Sequence, residues 1–194
     1  MQHPRALLTG TFFFFFFFVL FYLMTVFALS WGTSQLGYTR EHFLMMQMVG
    51  VLFFAAAIPL SALFADRHGR RLAMILATVA VLLFGIGFAP LFASGSSVSV
   101  VLFLSLGLGI MGLTYGPVGT ILSEAFPTEV RYTGASLAFN LAGIFGASLA
   151  PYIATRLAHD HGLAYVGYYL AAAAALTLLA LLSMPRQAKQ AASA

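Results

Sequence analysis

The chain contains no cysteine among its 194 residues, and only 7% of them are charged. Without cysteine there is no disulfide scaffold and no Cys-ligated zinc site. The scarcity of charge excludes a soluble domain, which carries about 25% charged residues, and a charged disordered tail. What the chain has instead is apolar surface: 61% hydrophobic residues, including 20 phenylalanines and 8 tyrosines. The class left is an integral membrane protein, with membrane lipid as its first partner. The net charge of +4 comes from 9 basic residues scattered between long apolar runs. They form no basic stripe, so no nucleic-acid partner is expected.

A helix crosses the roughly 30 Å hydrocarbon layer with about 20 apolar residues, each rising 1.5 Å. Six stretches meet that length: Thr11–Trp31, Phe43–Phe64, Leu72–Phe92, Val98–Ser123, Thr133–Ala154 and Ala164–Met184. None contains Asp, Glu, Lys or Arg. A charge at mid-membrane costs about 2.5–3.5 kcal/mol on insertion scales, so charge-free windows carry weight. Transmembrane strands would be half as long and alternate in polarity. The expectation is an all-α membrane protein of six transmembrane helices.

The connections are short: Gly32–His42, Ala65–Arg71, Ala93–Ser97, Glu124–Tyr132 and Thr155–Leu163. Six crossings return both termini to one side. Arg5, Arg67, Arg70, Arg71, Arg131, Arg186 and Lys189 fall on that side, and only Arg40 and Arg156 on the other. Cytoplasmic flanks collect Lys and Arg, so both termini are expected in the cytoplasm. The first apolar run is too long for a cleaved signal peptide and precedes no small-residue cleavage site. The run Phe12–Phe18 has no periodicity and reads as lipid-facing filler, with a functional aromatic cluster as the lesser alternative.

Asp66-Arg67-His68-Gly69-Arg70-Arg71 lies between the second and third spans. Gly69 can supply a positive φ for a tight turn, and the arginines keep the turn out of the membrane. One reading is a topology anchor. A sharper one is a conformational latch, in which Asp66 and the arginines pair with neighbouring helix ends in one state and release in another.

Asp66–Arg71 resembles the loop signature of the major facilitator superfamily, which recurs between the second and third helices of each six-helix half. The segments Tyr115-Gly116-Pro117 and Leu122–Leu137 resemble the metabolite/proton symporter branch, through Glu124-Ala125-Phe126-Pro127-Thr128 and Val130-Arg131-Tyr132-Thr133-Gly134. Leu149–Thr155 and Phe27–Thr33 also resemble that branch. The resemblance covers nearly the whole chain. It implies the C-terminal six-helix half of a twelve-helix secondary transporter, with residues 1–194 as one unit and the N-terminal half absent from the chain. It also implies a bacterial inner-membrane location and a small-molecule solute and a proton as ligands, with no cofactor. By the same resemblance the first and fourth spans line the central cavity, the second and fifth flank it, and the third and sixth face lipid.

Gln47, Tyr115 and Asn140 are the polar side chains inside spans that invite a cavity role, with interhelical hydrogen bonding as the alternative for each. Tyr115 stands out because Pro117 lacks an N–H and frees a backbone carbonyl nearby. Gly107–Gly112 reads G-x-G-x-x-G, but within an apolar span and without a preceding strand it is a packing feature. Gly112 and Gly116 make a G-x-x-x-G face. Gly134, Ala138, Ala142, Gly146 and Ala150 make a second smooth face. Glu124 sits at the cytoplasmic end of the fourth span, with Arg131 as its obvious partner in a surface pair or an exchanging gate. His159-Asp160-His161 reads as a solvated external loop rather than a metal site.

No carboxylate or histidine lies inside a span, whereas proton-coupled carriers use such groups. The coupling carboxylate is therefore expected in the absent half, with Glu124 its local rival. The alternatives to a transporter half are a six-helix assembly unit that joins a second copy or a separate half, and a non-functional truncated remnant. No protease, esterase or ATPase motif is present, so an enzyme is not expected.

Overall fold

The computed structural model of the protein describes residues 11, 15–124 and 131–183, without the side chains of 118–124, 131, 145 and 183. The described residues form helices and turns, with no strand. The helices are α1 (Phe15–Ser34), α2 (Arg40–His68), α3 (Arg70–Ile86), α4 (Phe88–Phe92), α5 (Ser97–Glu124), α6 (Arg131–His161) and α7 (Leu163–Ser183). Five of them, α1, α2, α5, α6 and α7, are long and apolar enough to cross a membrane.

The third expected span, Leu72–Phe92, is not one helix. Pro90 has no N–H for the carbonyl of Ile86 and its ring crowds that carbonyl. The chain accordingly breaks at Gly87 and resumes as the short α4. The Gly87 N–H still closes on Leu83 O at 3.0 Å, so the break is a kink rather than a loop.

Two connections are far tighter than hydropathy suggests. Only Gly69 separates α2 from α3, with φ 95°, and only Gly162 separates α6 from α7, with φ 93°. Each donates its N–H to the carbonyl four residues back, Ala65 at 2.9 Å and Ala158 at 3.1 Å. A residue with a Cβ is strained at such φ values, which is why glycine occupies both turns. As a consequence His159, Asp160 and His161 belong to the last turn of α6 rather than to a loop. Asp160 there pairs with Arg156 at 3.5 Å, one turn earlier on the same helix.

The helix α1 sits innermost. Half of its apolar window is buried, against less than a third for α2 and α6. It packs against α2, α5 and α6, while α2 pairs along its length with α5, and α3 lies against α5 and α7. The described end of the phenylalanine run is part of this interior. Phe16 is 0% and Phe17 6% exposed, and Phe18 packs on α6. The lipid-facing reading of the run is therefore corrected for Phe16 to Phe18. Aperiodicity hid this, because every face of a homopolymer looks alike while only packing partners choose the buried one. Phe12 to Phe14 lie outside the described residues.

Small residues set the helix spacings. A Cβ at Gly112 would lie 2.5 Å from Phe54 O, and one at Gly116 2.9 Å from Ala62 N, so both glycines of the G-x-x-x-G face touch α2 backbone. A Cβ at Gly146 would meet Phe18 Cβ at 2.6 Å and Phe15 O at 3.2 Å. Ala138, Ala142 and Ala150 of that second face are fully buried and Gly134 is half-buried.

Candidate functional site

Two polar side chains of α2 repair the backbones of its neighbours. Pro117 cannot donate to Leu113 O, and the Ser61 hydroxyl donates to that carbonyl instead. The carbonyl that Pro117 frees is thus taken by α2 rather than left open to a ligand. Ser61 escaped the sequence reading because its partner carbonyl is 52 residues away.

The second repair is in α1. Residues Leu23–Phe27 form a π turn, so the Ala28 N–H donates to Leu23 O, five residues back, and bypasses Met24 O. The Gln47 amide donates to Met24 O at 2.8 Å and to Thr25 O at 3.1 Å. The Thr25 hydroxyl donates to Phe21 O at 2.6 Å. In hydrocarbon an unpaired carbonyl costs several kcal/mol, so these donors hold the turn together. Gln47 is half-buried and its amide is committed to α1.

A row of aromatic rings crosses four helices. Phe54 of α2 contacts Tyr115 of α5, with ring centroids 5.7 Å apart. Tyr115 lies 5.4 Å from Phe17 of α1. Phe17 meets Phe18 at 5.9 Å, and Phe18 meets Phe139 of α6 at 5.0 Å. Tyr115 is 47% exposed despite these contacts, and Asn140, beside Phe139, is exposed too. Among the described residues the Asn140 amide donates within its own helix, to Ser136 O at 2.7 Å. The structure therefore sets Tyr115 in the aromatic wall with nearly half of its surface exposed, leaves Asn140 exposed on α6, and commits the Gln47 amide to α1.

The turn of the Asp66–Arg71 motif lies beside the end of α7. Arg71 Nη2 donates to Leu181 O at 3.0 Å and to Leu182 O at 3.2 Å. Both carbonyls belong to the last described turn of α7, so the contact ties the motif turn to that helix. Asp66, Arg67 and Arg70 are exposed around the turn. Among the described residues Asp66 makes no ion pair, and the side chains of Glu124 and Arg131 lie outside the description, so the gate pairing rests on the sequence. Arg71→Ala is expected to destabilise the folded protein by about 1–2 kcal/mol, the value of a charged donor lost from one part-buried and one exposed carbonyl. Unfolding by SDS titration measures it, with Arg71→Lys expected to show a smaller loss; an unchanged midpoint in Arg71→Ala would remove the role of Arg71 in tying the turn to α7.

At the opposite end the Tyr38 hydroxyl donates to Gly95 O at 2.6 Å, tying the α1–α2 turn to the α4–α5 turn. Trp31 of α1 stacks edge-on to His159 of α6 at 5.4 Å. Arg40 and Arg156 stand at this end, and Arg67, Arg70 and Arg71 at the other, as the sequence sorted them.

The described helices thus form a bundle with five members able to cross a membrane, glycine-notched crossings and an arginine-rich turn, which defines the class of multi-pass helical membrane proteins. The family model of the Major Facilitator Superfamily matches residues 1–151. The Escherichia coli inner membrane metabolite transport protein YhjE is 48% identical over 186 residues, which is 93% of this chain and 42% of that protein. A putative metabolite transport protein of Haemophilus influenzae is 38% identical over 193 residues, covering 94% of this chain and 44% of the relative. A citrate-proton symporter of Klebsiella pneumoniae is 32% identical over 165 residues, 82% of this chain and 36% of the relative. The chain belongs to the major facilitator superfamily. It is a multi-pass membrane protein of a transporter family and not an enzyme, and it spans less than half the length of these relatives.

Proposed function

We propose that the chain forms one six-helix wall, the C-terminal half, of a secondary active transporter that moves a small solute together with a proton. The observation that carries this reading is the Tyr115 ring set in the aromatic wall with 47% of the residue exposed, with Asn140 a second exposed polar side chain on α6. Polar side chains inside apolar helices face protein or a water-filled cavity rather than lipid. Transporters of repeated architecture bind solute near mid-membrane between such walls. The α3–α4 stretch counts as the sixth crossing in this reading, kinked at Gly87. The excess of arginine beside Gly69 supports a cytoplasmic location for both termini in this reading. A second copy of the chain could cover the same face, which would give a six-helix assembly without transport.

Joining this chain to the N-terminal six helices of the E. coli relative and reconstituting it in proteoliposomes tests the reading. Under an imposed proton gradient, uptake of one of citrate, shikimate, proline or betaine is expected, and the chain alone should give none. Those solutes are named for relatives of the chain. Uptake indifferent to the gradient would sink symport, and uptake by a cross-linked dimer of the chain would favour the assembly reading. The coupling carboxylate is assigned to the other half, so Glu124→Gln in the joined protein should keep its proton dependence. Its complete loss would move the role to Glu124.

A further inference from the structure

The polar side chains that meet at the π turn of α1 have spent their hydrogens. The Gln47 amide nitrogen donates to both Met24 O and Thr25 O. Only the nitrogen can donate to a carbonyl, so the amide has one possible orientation and Oε1 is the atom left over. The Thr25 hydroxyl gives its hydrogen to Phe21 O, and Oγ1 keeps its lone pairs. Among the described residues nothing donates to either oxygen, and Gln47 Oε1 is open rather than enclosed.

The side of α1 on which they stand is uncovered. Phe17 turns to Tyr115 of α5 and Phe18 to Phe139 of α6. Phe21 is four residues past the first and three past the second, so at about 100° per residue it points between those two directions. It is 37% exposed there. Thr25 follows one turn further on and is half-buried, as is Gln47 beside it. Phe54, two turns along α2 from Gln47, touches Tyr115, which puts the phenol about 10 Å away along the bundle. An acceptor left without a donor at membrane depth is costly, so these oxygens need water or a ligand that donates. A carboxylate brings only more lone pairs, and the apolar stretches Thr11–Trp31 and Phe43–Phe64 contain no Lys or Arg to hold one.

We propose that Thr25 Oγ1 and Gln47 Oε1 form an acceptor-only subsite that takes the hydrogen-bond-donating group of the solute, a hydroxyl or a protonated amine, and turns carboxylates away. The subsite rests on the transport reading for its solute and deepens it: this half reads the donor end of the molecule. The π turn is what makes the subsite acceptor-only. It leaves Met24 O without its helical N–H, and that carbonyl draws the Gln47 nitrogen inward and leaves the oxygen out.

The chain has no cysteine, so an introduced thiol is its only one. In nanodiscs, Phe21→Cys is treated with methanethiosulfonates that carry an aminoethyl, a trimethylammonioethyl or a sulfonatoethyl group. The first brings N–H donors, the second the same charge without them, and the third an anion. With each rate divided by that of a free thiol in water, the aminoethyl reagent is expected to react several-fold faster than the other two. Thr25→Val should remove most of that advantage and Thr25→Ser should keep it, whereas a merely structural effect would change the three rates alike. Equal rates, an advantage that survives Thr25→Val, or a thiol at position 21 that no reagent reaches overturns the proposal. In the joined protein, Thr25→Val should raise KM for shikimate or proline roughly threefold to tenfold and leave that for betaine, which has no N–H or O–H, unchanged. A shift confined to shikimate assigns a hydroxyl, and one confined to proline an ammonium. An unchanged KM for a carried solute that has a donor overturns the subsite, as does uptake of betaine alone. Absence of all uptake overturns the transport reading, and the labelling rates then decide the subsite by themselves.

Discussion

A Gly167→Val chain is expected to lose the docking of α7 and to unfold at far lower denaturant than the parent. Gly167 of α7 and Gly85 of α3 meet backbone to backbone. A Cβ at Gly85 would lie 2.8 Å from Gly167 O and 2.9 Å from Ala171 N, and a Cβ at Gly167 would lie 2.7 Å from Phe88 Cβ. Neither carbonyl can retreat without breaking its own helix. Overpacking a tight site costs about 1–3 kcal/mol and more where the obstacle is backbone. Gly167→Ala should fall at the lower end of that range and Gly167→Val beyond it. SDS or urea titration of the purified chain in micelles reads both. A Gly167→Val midpoint equal to the parent's would show that α7 is not seated on α3 in the membrane.

The second large effect is expected at Tyr115 in the joined, transport-competent protein. Its ring is held between Phe54 and Phe17, and nearly half of the residue remains exposed. Ring and hydroxyl can therefore be separated. Tyr115→Phe keeps the packing and removes one hydrogen bond worth about 0.5–1.5 kcal/mol, so KM should rise roughly threefold to tenfold with the maximal rate retained. Tyr115→Ala also removes the ring from the wall and should lower uptake at limiting solute by more than an order of magnitude. An unchanged KM in Tyr115→Phe would take the hydroxyl out of the solute site. Unchanged uptake in Tyr115→Ala would take the whole wall out of it.

The repairs made by α2 link these results. Ser61 and Gln47 lie on one helix and serve irregular backbone in α5 and α1, the two helices that hold Tyr115 and Phe17. Irregular backbone at membrane depth survives only where protein satisfies it. In this protein the satisfying groups are two uncharged side chains, which avoid the cost of a charge and still bind a carbonyl firmly. Packing against α2 thus shapes the wall without α2 having to contact a solute.

Apolar runs announced where the long helices lie, because the bilayer penalises charge so steeply that composition alone marks a crossing. They did not announce where helices stop. Positive φ at Gly69 and Gly162 permits turns of one residue, so polar stretches such as His159–His161 continue the helix instead of looping. Pro90 was visible as a breaker, yet a hydropathy window averages over it and concealed the kink at Gly87.

The packing glycines divide in the same way. Gly112 and Gly116 were legible because a spacing of four puts them on one helix face. Gly85 and Gly167 have no such local pattern and are defined only by each other across two helices. Polar candidates were legible as residue types, since an amide, a phenol or a hydroxyl in a span must find a partner. Which partner each finds was not. Gln47 and Asn140 look equivalent in the sequence, but one amide reaches the π turn of α1 and the other bonds within its own helix and faces outward.

By itself, then, the sequence determined a charge-poor helical membrane protein, the sorting of its arginines to opposite ends, and the motifs that resemble the superfamily. These are properties of residues acting singly or at fixed spacing along one helix. Only the tertiary structure decided that Phe16 and Phe17 are interior, that Ser61 answers Pro117, that Arg71 reaches the backbone of α7 and that α1 carries a π turn held by Gln47. Each of those depends on two helices meeting, and contact between residues remote in sequence leaves no periodic trace in either one.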